Sequence, residues 1–330
     1  MVRRGLIVGK FYPPHRGHRY LIDSGRARVD ELHVIVCQKP GESPRGTLRA
    51  AWIREIHPDT HVLLIDDVYD EQDSRVWAEN SIRWLGFRPD VVFTSEDYGD
   101  RFAHFLGCAH EQIDKARQAV PISGTMVRQS PLRFWEYLEA PVRAWYALRI
   151  CLIGAESTGK TTLARMLAAH YQTIWVPEFG REYAARVLAE QGQYAWTSAD
   201  FETIATTQCE HENEAVRRAN KILICDTDAF ATSVWHRRYM GQRSTAVESV
   251  AGRHRRPDLY LLTDIGTPFV QDGTRDGEMI RDWMHKTFVE ELTLKTRPYQ
   301  LLRGTREERF RLATNLIDEL LTEQHHGPVN

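Results

Sequence analysis

Short apolar runs alternate with amphipathic stretches along the chain. In the first half, Leu6 to Phe11, Leu32 to Cys37, His61 to Ile65 and Asp90 to Thr94 read as strands separated by helical patterns. The second half repeats the rhythm with Arg149 to Ile153, Thr173 to Pro177, Lys221 to Cys225, Leu259 to Thr263 and Tyr299 to Leu302. Strands alternating with helical segments predict parallel sheets covered by crossover helices, so the fold class is α/β with two parallel-sheet domains in succession. Between the halves, Pro131 and Pro141 bracket a segment that holds Trp135 and Tyr137, with Trp145 and Tyr146 just beyond. This places the boundary near residue 147, giving domains 1–147 and 148–330. The aromatics are expected to pack into the first core rather than between domains.

The length of 330 residues suits two domains, and 42% hydrophobic composition is ample for folded cores. With 43 Lys+Arg against 45 Asp+Glu the net charge is only -2, which argues against a diffuse polyanion surface and hence against a nucleic-acid partner. No run approaches the roughly 20 apolar residues of a membrane span, and Met1 to Lys10 lacks the apolar stretch of a signal peptide. A cytoplasmic protein is expected, with no membrane partner. The five cysteines, at 37, 108, 151, 209 and 225, are odd in number and form no close pair of zinc-ligand type, so reduced structural thiols are expected.

Gly154-Ala-Glu-Ser-Thr-Gly159-Lys160-Thr161 fits the pattern G-x-x-x-x-G-K-[ST], follows the apolar strand Ile150 to Ile153 and leads into the helical Thr162 to Tyr171. In such a loop the backbone N–H groups of Gly154, Glu156, Ser157, Thr158, Gly159, Thr161 and Thr162 curl around phosphate, Lys160 reaches the terminal phosphates and the Thr161 hydroxyl can ligate Mg²⁺. ATP binding follows. Ile222 to Cys225 runs into Asp226-Thr-Asp228, at the strand edge where ligands bind; Asp226 is expected in the magnesium shell and Asp228 at the substrate. Glu178 ends another short strand and can orient or deprotonate an acceptor hydroxyl. Arg275 and Arg281 suit a lid that carries guanidinium groups onto the transferring phosphate, and Gly304 to Arg309 resembles the adenine-side loop of small-molecule P-loop kinases.

The first half offers a second phosphate motif. After the strand Gly5 to Gly9 comes Lys10-Phe-Tyr-Pro-Pro-His15-Arg-Gly-His18, then a helical pattern. Two histidines three apart at a helix entrance share a face and can donate hydrogen bonds to one anion. Metal binding is poorly supported, since no third ligand is near in sequence. Ile122-Ser-Gly-Thr-Met-Val-Arg128 supplies a helix cap at Ser123 or Thr125 and a charged fork at Arg128 for a leaving pyrophosphate.

Together these segments carry a specific resemblance. Gly9 to His18 resembles the GxFxPxHxGH signature of adenylyltransferases, and Ile122 to Arg128 resembles their ISxTxxR motif. With a P-loop kinase behind it, the chain resembles, from about residue 5 to 322, the NadR-type family of bifunctional nicotinamide mononucleotide adenylyltransferases and ribosylnicotinamide kinases. The resemblance implies a Rossmann-like nucleotidyltransferase followed by a P-loop kinase. It implies that His15 and His18 bind ATP phosphates with Gly9, Lys10 and Phe11 beside them, and that Ser123, Thr125 and Arg128 close over pyrophosphate. Asp97 and Tyr98 are implied to contact nucleotide, and Trp77 to stack on the nicotinamide ring. The implied substrates are nicotinamide riboside, the mononucleotide (NMN) and ATP, with Mg²⁺ as cofactor, in a homo-oligomer. Some members begin with a DNA-binding helix-turn-helix; the catalytic motif here starts at Gly9 and leaves no room for one, so no repressor activity is expected.

Rival readings remain at this level. A phosphopantetheine adenylyltransferase joined to a dephospho-coenzyme A kinase shares the architecture and the histidine motif, but Val176 to Glu182 and Asp226 to Asp228 look like the riboside kinase. A riboflavin kinase/FAD synthetase fusion lacks a Walker-type loop in its kinase half. A non-catalytic nucleotide sensor has no need to retain His15, His18, Lys160 and Asp226 together.

Overall fold

The computed structural model describes residues 1–70, 72–191, 195–270 and 278–325. The chain divides into two compact units between Arg143 and Ala144. The first contains β1 (Arg4–Gly9), α1 (Arg16–Arg26), β2 (Glu31–Gln38), α2 (Gly46–Ile56), β3 (His61–Asp66), α3 (Ser74–Leu85), β4 (Val91–Thr94), α4 (Gly99–Leu106), β5 (Ala109–Gln112) and α5 (Gly124–Gln129), and α6 (Ala140–Tyr146) spans the division. Its sheet has the order β3-β2-β1-β4-β5 with every pairing parallel. Alternate residues feed opposite faces, as the twofold period of a strand requires. Ile7, Val34, Val36, Val91 and Phe93 pack with Ile22 of α1 and Ile53 of α2, whereas Leu6, Ile35 and Val92 pack with Trp77 of α3 and Phe102 of α4. The sheet is therefore doubly wound. Strand order reverses beside β1, which has β2 on one side and β4 on the other, and ligands bind beyond the carboxyl ends at such a point.

The second unit contains β6 (Leu148–Ile153), α7 (Lys160–His170), β7 (Trp175–Val176), α8 (Phe179–Gln191), α9 (Ser198–Ala215), β8 (Ile222–Asp226), α10 (Ala229–Met240), α11 (Thr245–Arg253), β9 (Leu259–Thr263), α12 (Arg281–Leu294), β10 (Tyr299–Leu302) and α13 (Arg306–His325). Its five-stranded parallel sheet has the order β10-β9-β6-β8-β7. Every residue of β6, β8 and β9 is buried, which is why these strands read as near-continuous apolar runs, with Arg149 the one interior charge, rather than alternating ones. The apolar pattern does not reveal β5, whose sequence Ala-His-Glu-Gln lies on a sheet edge with no residue fully buried. Trp135 is buried under the Arg143 guanidinium, whereas Trp145 is exposed. All five cysteines are free thiols, four of them buried. Among the described residues no helix is long and apolar enough to cross a membrane.

Candidate active sites

In the first unit the loop after β1 delivers two imidazoles to the switch point. His15 is the N-cap of α1: its Nδ1 accepts the backbone N–H of Gly17 at 3.1 Å and of His18 at 3.4 Å. A ring nitrogen that accepts carries no proton, so the neutral ring holds its proton on Nε2. Burial, reinforced by Arg117, pulls His15 from 6.5 down to about 4. Burial, His15 and Arg117 in that order hold His18 well below its ordinary value. The rings stack at 3.8 Å between centroids, and Phe11 meets His18 edge-on at 5.0 Å. Both imidazoles are thus neutral donors at pH 7, and positive charge must come from elsewhere.

Arginines supply it. Arg128 donates to the Tyr12 carbonyl and, at 2.9 Å, to Thr125 Oγ1. Ser123, rather than Thr125, caps α5, accepting the Met126 N–H at 3.2 Å. Gly124 admits this approach: a Cβ there would stand 2.7 Å from the Tyr12 carbonyl oxygen. The Tyr12 ring takes two guanidinium groups, Arg128 at 4.7 Å and Arg49 at 4.9 Å. Arg49 is completely buried, pairs with Glu42 and donates to the Lys10 carbonyl, so it fixes the histidine loop from below. Arg117 sits on the rim in a loop whose Asp114 carboxylate accepts the backbone N–H groups of Gln118, Ala119 and Val120. Sequence reasoning missed Tyr12, Arg49 and Arg117. For Arg49 a signal existed: with Gly46, Ala50 and Ile53 it lies on the buried stripe of α2, an unusual place for an unpaired charge.

Tyr12, His15, His18, Arg117, Ser123, Thr125 and Arg128, but not the buried Arg49, line one cavity of about 650 Å³, within the roughly 300–1,000 Å³ range of small-ligand sites. Gly9, Lys10, Phe11, Trp77 and Tyr98 line it as well. Trp77 is also a core residue, edge-on to Tyr69 and Trp84, with Nε1 donating to the Asp70 carbonyl at 3.1 Å. Tyr98 donates to the Val8 carbonyl at 3.0 Å and faces the cavity. Asp97 does not: its carboxylate is 84% exposed and pairs with Lys115, outside the lining residues. A turn at the end of β4 points neighbouring residues to opposite sides, and Asp97 takes the solvent side.

In the second unit the loop from β6 to α7 has the curled backbone of a phosphate cradle, with Gly154, Ser157 and Gly159 at positive φ. Lys160 is buried and its Nζ donates to the carbonyls of Gly154 and Ala155 at 3.1 and 2.9 Å. Thr158 turns inward, bonding Ala155 and the Thr263 hydroxyl, and so ties the loop to β9. The Thr161 hydroxyl donates to Asp226 Oδ2 at 2.5 Å, while Asp226 Oδ1 is buried without a partner. Burial first, then the nearby Glu178, raises the Asp226 carboxyl to about 6. Thr158, Gly159 and Thr162 meet Gly304, Arg306 and Arg309 around a cavity of about 570 Å³, on the side where the sequence places the adenine loop. Arg309 anchors that side by donating to the Thr158 carbonyl at 2.9 Å.

Beyond Lys160 opens a cleft lined by Glu156, Glu178, Arg181 and Thr227 at one end and by Trp196, Phe201, Trp235 and Tyr239 at the other. The sequence reading found Glu178 and missed the aromatic end, which α9 and α10 assemble only in three dimensions. Two expectations are corrected. Asp228 is not at the cleft: it caps α10, accepting the Ala231 N–H at 2.8 Å, and its other oxygen accepts the Tyr260 hydroxyl at 2.6 Å. Arg281 is no lid residue; it is buried and donates to the carbonyls of Ile265 and Thr267. Arg275 lies outside the described residues.

Residues 149–309 match the family model of an AAA domain. Over 97% of its length the chain is 28% identical to the trifunctional NAD biosynthesis/regulator protein NadR of Escherichia coli (strain K12), covering 84% of it. Identity and coverages are the same with the NadR of Salmonella typhimurium (strain LT2). The fold superposes on a crystal structure of NadR in complex with NR at a TM-score of 0.79 with 20% identity, covering 99% of this chain and 96% of that one. A NadR structure in complex with NAD and AMP-PNP gives a TM-score of 0.77, also at 20% identity, with coverages of 98% and 97%. Across nearly its whole length the chain is similar to the NadR proteins.

Proposed function

We propose that the chain is a two-site salvage enzyme: its second unit phosphorylates nicotinamide riboside with ATP, and its first joins the resulting mononucleotide to the adenylyl group of ATP, giving NAD and pyrophosphate. One observation carries this reading. Each unit holds its own polyphosphate cradle, the stacked His15 and His18 under Arg128 in one and the Lys160 loop in the other, and a separate cleft adjoins the Lys160 loop. The relatives' names, NAD biosynthesis proteins, and the NR, NAD and AMP-PNP of the solved structures support the substrate assignment.

In the first unit a phosphate oxygen of the mononucleotide attacks the α-phosphorus of ATP in line and pyrophosphate departs. His15 donates its Nε2 proton to an α-phosphate oxygen, and His18 provides a second neutral donor, both already aligned by packing. Arg128 and Lys10 offset the charge that grows on the leaving group, and Trp77 offers an aromatic wall to the pyridine ring.

In the second unit the riboside 5'-hydroxyl attacks the γ-phosphorus of ATP. Glu178, in the cleft beside Lys160, accepts the hydroxyl proton, and Lys160 exchanges its loop carbonyls for phosphate oxygens. Thr161 and the unpartnered Oδ1 of Asp226 fit Mg²⁺, a hard cation that takes oxygen ligands. Among the described residues no group of three or more His, Cys, Asp or Glu is arranged to hold a metal, as suits an ion that draws most of its ligands from phosphate and water. Bound there, magnesium would neutralise charge on the β- and γ-phosphate oxygens. The test is to incubate the purified chain with nicotinamide riboside and excess Mg-ATP: NAD is the expected product, and failure to convert any pyridine nucleoside or nucleotide contradicts the reading.

A further inference from the structure

Edge strand β5 belongs to a hydrogen-bonded chain that the mechanism above does not use. Both ring nitrogens of His110 are engaged: Nδ1 lies 2.6 Å from Asp100 Oδ1 on α4, and Nε2 lies 2.8 Å from the Thr94 hydroxyl at the end of β4. An ionised carboxylate only accepts, so Nδ1 carries a proton, and Nε2 of the neutral ring accepts the Thr94 O–H. Carboxylate, imidazole and hydroxyl form one line from the surface inward. The Asp100 side chain is 94% exposed, that of His110 9%, and Thr94, 1% exposed, belongs to the wall of the first unit's cavity. Asp100 and His110 stand outside that lining.

The chain is built into the packing. Val92 pairs with His110 across β4 and β5, so Val92, Thr94 and His110 share one face of the sheet, the face on which Val92 packs with Trp77 and Phe102. Gly99 opens α4 and admits the ring: a Cβ there would stand 2.5 Å from Thr94 Oγ1 and closer still to His110 Nε2. Between Thr94 and Gly99 lies the turn whose Ser95, Glu96 and Tyr98 line the cavity. One imidazole therefore holds both ends of that turn, Thr94 through Nε2 and the first turn of α4 through Nδ1. Tyr98, edge-on to Phe102 at 6.0 Å, packs on the same cluster as Trp77.

We propose that His110 is a positioning residue for adenylyl transfer: clamped between Asp100 and Thr94, it fixes the turn from Ser95 to Tyr98 at the spacing the mononucleotide needs beside Trp77. This rests on the transferase reading above. His110 acts through the turn and touches no substrate. It removes freedom from a segment that would otherwise be ordered when the ligand arrives, and an ordering cost of that kind appears in affinity rather than in the chemical step.

Steady-state kinetics of the full chain with mononucleotide and Mg-ATP test this. Thr94→Val keeps the shape and removes the hydroxyl; it raises KM for the mononucleotide about tenfold, with kcat within about twofold and riboside phosphorylation unchanged. Thr94→Ser restores the hydroxyl and with it KM. His110→Asn keeps a donor for Asp100 but falls short of Thr94, so it matches Thr94→Val, and the double variant is no worse than either alone. Asp100→Ala, a change on the surface, raises the same KM about threefold. Should Thr94→Val not fold, His110→Asn and Asp100→Ala carry the test. A mononucleotide KM unmoved in the folded variants, additive losses in the double variant, or a fall in kcat with KM unchanged overturns this inference alone. A wild-type chain that makes no NAD from the mononucleotide overturns the transferase reading and this inference with it.

Discussion

His15 and His18 stack with their ring centroids 3.8 Å apart, and the first ring caps the helix that carries the second. His15 cannot take a proton on Nδ1 without giving up the cap. Below pH 6.5 the unfolded chain protonates His15, while the folded chain resists until about pH 4. Stability of the first unit therefore falls on acidification through this window, by an amount on the order of 3 kcal/mol from His15. Urea unfolding from pH 7 to pH 4 checks it: His15→Asn, a cap that does not titrate, should flatten the acid slope. A slope indifferent to that substitution contradicts the assignment.

Arg49 is the buried support of the same loop. Arg49→Met strands Glu42 and frees the Lys10 carbonyl, so it should cost about 3 kcal/mol or more and reduce adenylyl transfer at least about tenfold, with riboside phosphorylation unchanged. Arg49→Lys should not rescue, because a lysine cannot serve Glu42, the carbonyl and the Tyr12 ring at once. Denaturation curves and the two assays together decide.

The phosphate loop of the second unit depends on Gly154 for two reasons. Its φ is 144°, and a Cβ would stand 2.4 Å from Thr263 Oγ1 and 2.9 Å from the Thr263 carbonyl oxygen. Gly154→Ala should raise KM for ATP in the kinase reaction and destabilise the second unit by about 1–3 kcal/mol, leaving adenylyl transfer intact. Wild-type ATP affinity in this variant would show that the loop tolerates what its geometry forbids.

Asp226 and Asp228 separate chemistry from structure. Asp226→Asn should lower kcat for riboside phosphorylation by about a hundredfold or more, since it alters the group facing magnesium and phosphate. Asp228→Asn loses part of a helix cap and the bond from Tyr260, costing about 1–2 kcal/mol, with kcat changed by no more than about threefold. Equal losses of kcat in the two variants would place Asp228 back at the substrate.

This pair also shows how far the sequence reaches. Central strands such as β8 and β9 are legible because burial on both faces makes them unbroken apolar runs. Edge strand β5, bearing His110 and Glu111, leaves no such trace. Motif residues such as Lys160 and His15 are legible because short loops tie residue type to backbone geometry. Asp228 is misread because a strand-end carboxylate and a helix cap look alike in sequence, although the helical run from Ala229 was a cap signal. The aromatic end of the kinase cleft comes from elements distant in sequence, where local pattern carries no information, whereas Arg49 leaves only the trace of a charge on the apolar stripe of α2.

Two independent cradles in one chain are tested most directly by splitting them. His18→Ala should convert nicotinamide riboside to the mononucleotide and stop there, whereas Lys160→Ala should leave the riboside untouched yet turn supplied mononucleotide into NAD. Mixed together with riboside and Mg-ATP, the two variants should restore NAD formation. A folded variant of either kind that has lost both reactions, or a mixture that makes no NAD, contradicts the account.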